Sequence, residues 1–276
     1  MRSTFSHYPE RRRASVLICT VRQCRLPLVR EGRCVVCGNG HSFDVARSGY
    51  INLLQPQDRR SRHPGDTALA LAARRRLHDR GVTAPLLQEF VAILTGTTGA
   101  DTLDAGCGDG FYLALLAARF GWKAHGIDIS ISAADAAARR YRGCEWVVAN
   151  ADRLIPYADA SFSLVLSITG RMNAPEFRRV LKDQGRLLVA VPAPDDLIEL
   201  RGTERDRVPR TVAAFADAFR LVEHRKISTS AELDEDSIRD VLHSVYRPRQ
   251  PQHVRAEPPR ARRITFSFDA LMFSPK

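Results

Sequence analysis

The stretch TLDAGCGDG, residues 102 to 110, constrains this chain more than any other. A short apolar run ends in Asp104 and then meets three glycines, Gly106, Gly108 and Gly110, within five positions. In a parallel sheet the carboxyl end of a strand faces the ligand crevice, and glycines there let the backbone come close to a ligand. A loop built for a dinucleotide pyrophosphate reads G-x-G-x-x-G. Here the spacing is G-x-G-x-G, and Asp109 inside the loop would repel a phosphate. The stretch therefore argues against NAD, FAD or ATP and for a cationic or zwitterionic ligand.

The surrounding residues supply the sheet that such a loop needs. From about residue 67 helical and strand patterns alternate. TALALAARRRLHDRG and TAPLLQEFVAILTG are amphipathic helices, each closed by a glycine. Strand 102–105, a helix over 110–119, strand KAHGID, helix SAADAAARRY, strands EWVVAN and FSLVLSI, helix PEFRRVLKD and strand RLLVAVP follow. Alternation of this kind predicts an α/β fold, a parallel sheet with helices on both faces. Trp122 and Trp146 fall on core strands, and Asp66 is expected to cap the helix after it.

Two further landmarks fit the same crevice. The second strand ends in Asp128, followed by Ile129, some twenty residues beyond the glycine loop, where a carboxylate accepts ribose hydroxyls. The third runs into Asn150 and Ala151, which border an adenine edge, and then a Leu-Ile-Pro-Tyr segment. S-adenosylmethionine, with a sulfonium, an ammonium and no phosphate, suits the loop. With Asp104, Gly106, Cys107, Gly108, Asp128, Ile129, Asn150 and Ala151 in order, the chain resembles the class I SAM-dependent methyltransferases, whose fold is a Rossmann-like sheet. Asn150 stands where many members carry Asp.

The cysteines and the charge point elsewhere in the chain. Cys19, Cys24, Cys34 and Cys37 crowd into nineteen residues with His41 just after, while Cys107 and Cys144 lie far downstream. In a chain read as cytoplasmic, that clustering favours a metal site over disulfides. The net charge is +11, which suits a nucleic-acid partner, yet only four of the 42 basic residues are lysine, an imbalance that GC-rich coding also produces. A basic surface joining the N-terminal module to the pocket would favour RNA; scattered charge would favour a small substrate. No apolar run is long enough to cross a bilayer, so no membrane partner is expected.

A closer resemblance covers the whole chain. CRLPLVREGRCVVCGNGHSFDVARSGYINLL, then RSRHPGDTALALAARRRLHDRG, then the core above is similar to the RlmA-type 23S rRNA (guanine-N1) methyltransferases. The resemblance implies an N-terminal zinc ribbon joined to a class I catalytic domain. Residues 1–16 then read as a disordered leader, 17–50 as the ribbon-like module, 51–82 as connector and helix, and 83–276 as the methyltransferase domain. Cys24, Cys37 and His41 fall on three ribbon ligand positions. The family's first ligand position holds Val21, leaving Cys19 or Cys34 to complete four N/S ligands, with Cys19 taken forward. The competing reading is a ribbon that survives on packing without metal.

Departures lie on the substrate side. Ile168-Thr169-Gly170 replaces an aromatic-Ala-Pro segment, Gly81-Val82-Thr83 replaces Gly-His-Tyr, and HSVYRPRQP around Tyr246 replaces Pro-x-x-Trp. Thr169, Arg171 and Tyr246 become the substrate candidates, by position alone. An extruded guanine needs stacking and edge contacts, so these replacements favour methyl transfer to a small, electron-rich heteroaromatic ring of an indole-like natural product. The alternative is the family's own reaction on ribosomal RNA, of the kind that confers antibiotic resistance. No residue declares itself as a general base.

Overall fold

The computed structural model describes residues 16–58, 65–244 and 260–276. The expected leader, apart from Val16, and the candidate Tyr246 lie outside the described residues. No helix among those described is long and apolar enough to cross a membrane.

Short strands separated by glycine turns build the N-terminal part. Strands β1 (Leu28–Glu31), β2 (Cys34–Cys37) and β3 (Ser42–Asp44) form an antiparallel sheet in the order β1-β2-β3. β4 (Ile51–Asn52) leaves this ribbon for the main sheet. Helix α1 (Ala68–Asp79) starts at Thr67, whose Oγ1 accepts from Ala70 N at 3.1 Å. Thr67, not Asp66, is therefore the cap; Asp66 has another partner, described below. α2 (Ala84–Ile93) follows, with a proline in its first turn.

The catalytic part alternates as the sequence leads one to expect. β5 (Asp101–Ala105), α3 (Phe111–Phe120), β6 (Lys123–Asp128), α4 (Ile131–Arg140), β7 (Glu145–Val148), β8 (Phe162–Ile168), α5 (Ala174–Val180) and β9 (Leu181–Pro192) come in turn. The short α6 (Ile198–Arg201), α7 (Val208–Phe215), β10 (Phe219–Leu233), α8 (Glu235–Ser244) and β11 (Arg262–Pro275) complete the chain. The main sheet has the order β10-β11-β9-β8-β5-β6-β7-β4. It is mixed, which corrects the all-parallel expectation: β11 runs antiparallel to both β9 and β10. Strand order reverses on either side of β5, so the ligand crevice opens at the carboxyl end of β5, next to the glycine loop.

Side chains alternate across the sheet with the period of two that a strand imposes. On one face Leu103, Ile127, Val147, Val165, Leu187 and Leu271 meet Phe177 of α5 and Phe215 of α7. On the other, Leu164, Leu166, Leu188, Trp146 and Met272 meet Phe90 of α2 and Leu113 and Leu116 of α3. The ribbon belongs to the first of these cores. Leu28, Val35, Cys37 and Phe43 pack in the same apolar cluster as Val147 and Tyr157. Leu17 bridges Tyr157, and Ile18 N donates to Pro156 O at 3.0 Å.

Candidate active site and metal centre

Two glycines of the opening motif serve different neighbours. Gly110, at φ 79°, starts α3, and a Cβ there would lie 2.4 Å from the Trp146 ring, which leaves no room for one. Gly108, at φ 57°, would bring a Cβ to 3.2 Å from Arg74 Nη1. The first case is core packing and the second is a close approach at the crevice. Only the latter bears on a ligand.

Carboxylates and one guanidinium line that crevice. Asp128 Oδ2 accepts from Gly108 N at 3.0 Å and its Oδ1 accepts from Ser130 N at 2.8 Å, so the end of β6 is tied to the loop after β5. Burial raises the Asp128 pKa, against those two backbone donors. Asp104 is 3% exposed, and its Oδ1 finds no hydrogen-bond partner among the described residues. Burial, and then the Asp128 charge, push its carboxyl up to about 8. A buried acceptor without a donor is costly, and a ligand ammonium would satisfy it. The half-buried Cys107 follows in the loop, its thiol pKa raised well above the ordinary value by burial.

The turn after β7 is already occupied in part. Asn150 Nδ2 donates to Asp58 O at 2.8 Å and its Oδ1 accepts from Asp152 N at 3.0 Å. Ala151 O accepts from Asn173 Nδ2 at 2.8 Å. The Asn150 side chain thus shapes the turn and holds the connector over it, which leaves the backbone to face a base. Ile129 packs with Leu54 and Val148 beneath the connector. Thr169 and Arg171 sit on the loop after β8, at the same rim. Thr169 takes φ 53°, unusual for a β-branched residue, and Arg171 pairs with Asp152 at 3.4 Å.

Residues of α1 complete the crevice, and these the sequence did not single out. Arg74 Nη1 lies 2.7 Å from Asp66 Oδ2, and its Nη2 donates to Ser244 O at 3.1 Å. Burial opposes its charge, but Asp66, Asp109 and Asp128 outweigh that and hold its pKa above the ordinary value. His78 stacks on Phe111 with centroids 3.7 Å apart, and its Nδ1 lies 2.7 Å from Thr83 Oγ1. Burial, then Arg74, lower the His78 pKa to about 3, so the ring is neutral. A signal existed: Leu71, Arg74 and His78 recur at helical spacing on the face that carries buried Leu71. The run Arg74-Arg75-Arg76 disguised it as a solvated charge cluster.

Two of the three replaced segments have structural partners of their own. Val82 packs with Leu77, Ile238 and Val241, and Thr83 holds His78. A Cβ on Gly170 would lie 2.2 Å from Ala105 O, so this position must be glycine to let the loop lie on β5. Their residue types answer to local packing.

In the ribbon, Cys19, Cys24, Cys37 and His41 converge, with their ligand atoms within 4.8 Å of one another. Cys24 Sγ lies 3.7 Å from Cys37 Sγ, and His41 Nδ1 lies 3.4 Å from both Cys19 Sγ and Cys37 Sγ. Tetrahedral zinc with bonds of about 2.3 Å to sulfur and 2.0–2.1 Å to nitrogen spaces its ligand atoms by about 3.5–3.8 Å. The four groups fit that geometry. Cys34 does not join them: its Sγ donates to Glu31 O at 3.1 Å. Cys34 and Cys37 are three apart on β2, and strand residues an odd number apart face opposite ways.

A Rossmann-like sheet with an acidic, glycine-lined crevice at the switch point and a Cys/His ribbon packed beside it defines a SAM-dependent methyltransferase with a zinc-ribbon module. Residues 102–190 match the family model described as a methyltransferase domain, and residues 18–62 the one described as RlmA, N-terminal. The 23S rRNA (guanine(748)-N(1))-methyltransferase of Streptomyces fradiae is 34% identical over 79% of this chain and 81% of its own length. The chain belongs to the RlmA-type 23S rRNA (guanine-N1) methyltransferase family. A Bacillus subtilis (strain 168) protein provisionally named a 23S rRNA (guanine-N(1)-)-methyltransferase is 35% identical over 62% of each chain. Among solved structures, the YcgJ protein of Bacillus subtilis is 17% identical, with TM-score 0.46 over 68% of this chain and 96% of that one.

Proposed function

We propose that this enzyme methylates N1 of a guanine in 23S rRNA. The observation that carries the reading is the likeness to the Streptomyces fradiae enzyme, 34% identical over 79% of this chain, beside the match of residues 18–62 to the RlmA N-terminal family model. The small heteroaromatic substrate expected from the sequence rested on the three replaced segments. Two of them are accounted for by packing around Thr83, Val82 and Gly170, and the third, around Tyr246, lies outside the described residues. What favoured a changed substrate is therefore weak.

When bound, S-adenosylmethionine supplies a methyl group made electrophilic by its sulfonium sulfur. In this reading Asp128, half-buried beside Gly108, accepts the ribose hydroxyls. Asp104 receives the ammonium, which gives its orphaned Oδ1 a donor. Arg74, beside Gly108, meets the carboxylate through its planar fork. Gly106, Cys107, Ile129 and the Asn150–Ala151 turn form the walls. Thr169 and Arg171 face the incoming base. The chain's contribution is positioning, which is most of what methyl transfer between two held reactants needs. One zinc held by Cys19, Cys24, Cys37 and His41 keeps the ribbon folded, and the protein works in the cytoplasm.

The test is incubation of the full chain with methyl-labelled S-adenosylmethionine and transcribed 23S rRNA. A methyl on N1 blocks the Watson–Crick edge, so reverse transcription halts at the modified base. Label in one guanine with such a stop is the expected result. Label in indole or purine compounds and none in rRNA would return the small-molecule reading.

A further inference from the structure

The ribbon and α4 meet along a seam that the cofactor crevice does not reach. Two adjoining hollows lie there. One is lined by Arg47, Ser48, Arg139 and Arg142, the other by Arg30, Arg33, Val45, Ala46, Arg47 and Gly49. Arg47 belongs to both. All five arginines are exposed, and no carboxylate lines either hollow.

The charge here is unspent. Arg139 pairs with Asp135 at 2.7 Å, and Asp135 Oδ1 accepts from Ser48 Oγ at 2.7 Å, so this acid is committed on both oxygens. Arg30, Arg33, Arg47 and Arg142 have no ionic partner among the described residues. Several arginines elsewhere are matched by acids: Arg76 and Arg80 by Asp240, Arg140 by Asp79, Arg178 by Asp183, Arg179 by Glu176 and Asp159. A set of unmatched guanidinium forks, contributed by ribbon and catalytic domain together, suits a row of phosphates.

We infer that this seam is a phosphodiester-binding surface that grips the RNA backbone at a second point, away from the base to be methylated. The inference rests on the proposed rRNA substrate. α4 has its first turn at Ser130, beside Asp128, and its last at Arg140, about 15 Å away at 1.5 Å per residue. A strand or duplex held at the seam therefore lies a fixed distance from the crevice. Backbone contacts of this kind set register and orientation without reading sequence.

The experiment compares the wild-type full chain, a R30E/R33E/R142E variant and a charge-matched R220E/R225E/R263E control. The control residues lie on β10 and β11, at the sheet edge opposite β4. Retention of transcribed 23S rRNA is measured across a salt series without methyl donor, methyl transfer is measured separately, and S-adenosylmethionine affinity is measured by calorimetry. The seam variant should bind RNA on the order of tenfold more weakly. The slope of log affinity against log salt should flatten by about two to three, as expected for three lost phosphate contacts. Cofactor affinity should not change, and the control should behave as wild type. Equal RNA binding by wild type and the seam variant, or an equal loss in the control, overturns the surface while leaving rRNA methylation standing. Seam-dependent RNA binding without methyl transfer to rRNA overturns the proposed reaction and keeps the surface. A wild-type chain that neither binds nor methylates the transcript removes both.

Discussion

Arg74 and Asp66 form a 2.7 Å ion pair that rests against Gly108, joining α1 to the cofactor loop. Both side chains are largely enclosed, at 25% and 16% exposed, so the pair is sheltered from solvent and salt.

Removing one member should therefore be expensive. Arg74→Ala leaves Asp66 and Asp109 without their cation, and truncating a buried pair costs about 3–5 kcal/mol. Arg74→Lys keeps the charge but not the fork. We expect Arg74→Lys to fold, with a melting temperature near wild type, and to bind S-adenosylmethionine several-fold more weakly by calorimetry. Unchanged affinity in that variant would show that Arg74 serves α1 alone.

Asp128 offers a second handle on the cofactor. Asp128→Ala removes the acceptor for the ribose hydroxyls, a loss on the order of 1–3 kcal/mol in binding. It also frees Gly108 N and Ser130 N, so Asp128→Asn, which retains an oxygen for one of them, serves as the control for loop integrity. Both variants should lose affinity, the alanine more. Wild-type affinity in Asp128→Ala would remove this residue from the site.

The ribbon should carry about one zinc per chain by elemental analysis. Cys19→Ser should lose it and Cys34→Ser should keep it, because Cys34 faces away from the cluster toward Glu31. Metal-free protein with an undisturbed ribbon would mark the four ligands as a relic held by packing.

Asp104 makes the cofactor-free protein pH-sensitive. Its carboxyl is raised from 3.8 to about 8, so the folded state holds the proton more tightly than the unfolded chain does. The contribution is complete below about pH 4 and is lost as pH rises through about 8. Thermal denaturation between pH 6 and 9 should show wild type losing stability faster than Asp104→Asn. Binding an ammonium favours the ionised form, so calorimetry near pH 7 should detect proton release on adding S-adenosylmethionine. Identical pH slopes in the two proteins would rule out Asp104 as the titrating group.

Much of this was written plainly in the chain. β6 and β8 fall where KAHGID and FSLVLSI lie, the first because it closes a strand-loop-helix repeat with Asp128, the second because it is an apolar run. The pair β10 and β11 was not legible. FRLVEHRKISTSAEL is largely exposed and heavily charged, and its pairing with β11 is set by a partner some forty residues away. In the site, Asp104 and Asp128 could be read because strand ends and glycines announce them. Arg74 could not, since an arginine run looks alike whether one member points inward or all face water. Cys19 over Cys34 was decidable in principle from the odd spacing of Cys34 and Cys37 on one strand. Unless Cys34–Cys37 is a strand, the odd spacing decides nothing.

The shared core of ribbon and sheet has a consequence for how the chain is made. Leu17 leaves the ribosome 140 residues ahead of its partner Tyr157. At about 5–20 residues per second, that is a wait of roughly 7–28 s. Throughout it Leu28, Val35 and Phe43 have no sheet to cover them. A metal ion gathered by Cys19, Cys24, Cys37 and His41 can bind the nascent chain during this interval, before the catalytic sheet is complete. Zinc supply during translation, more than zinc in the finished enzyme, would then govern how much active protein a cell obtains.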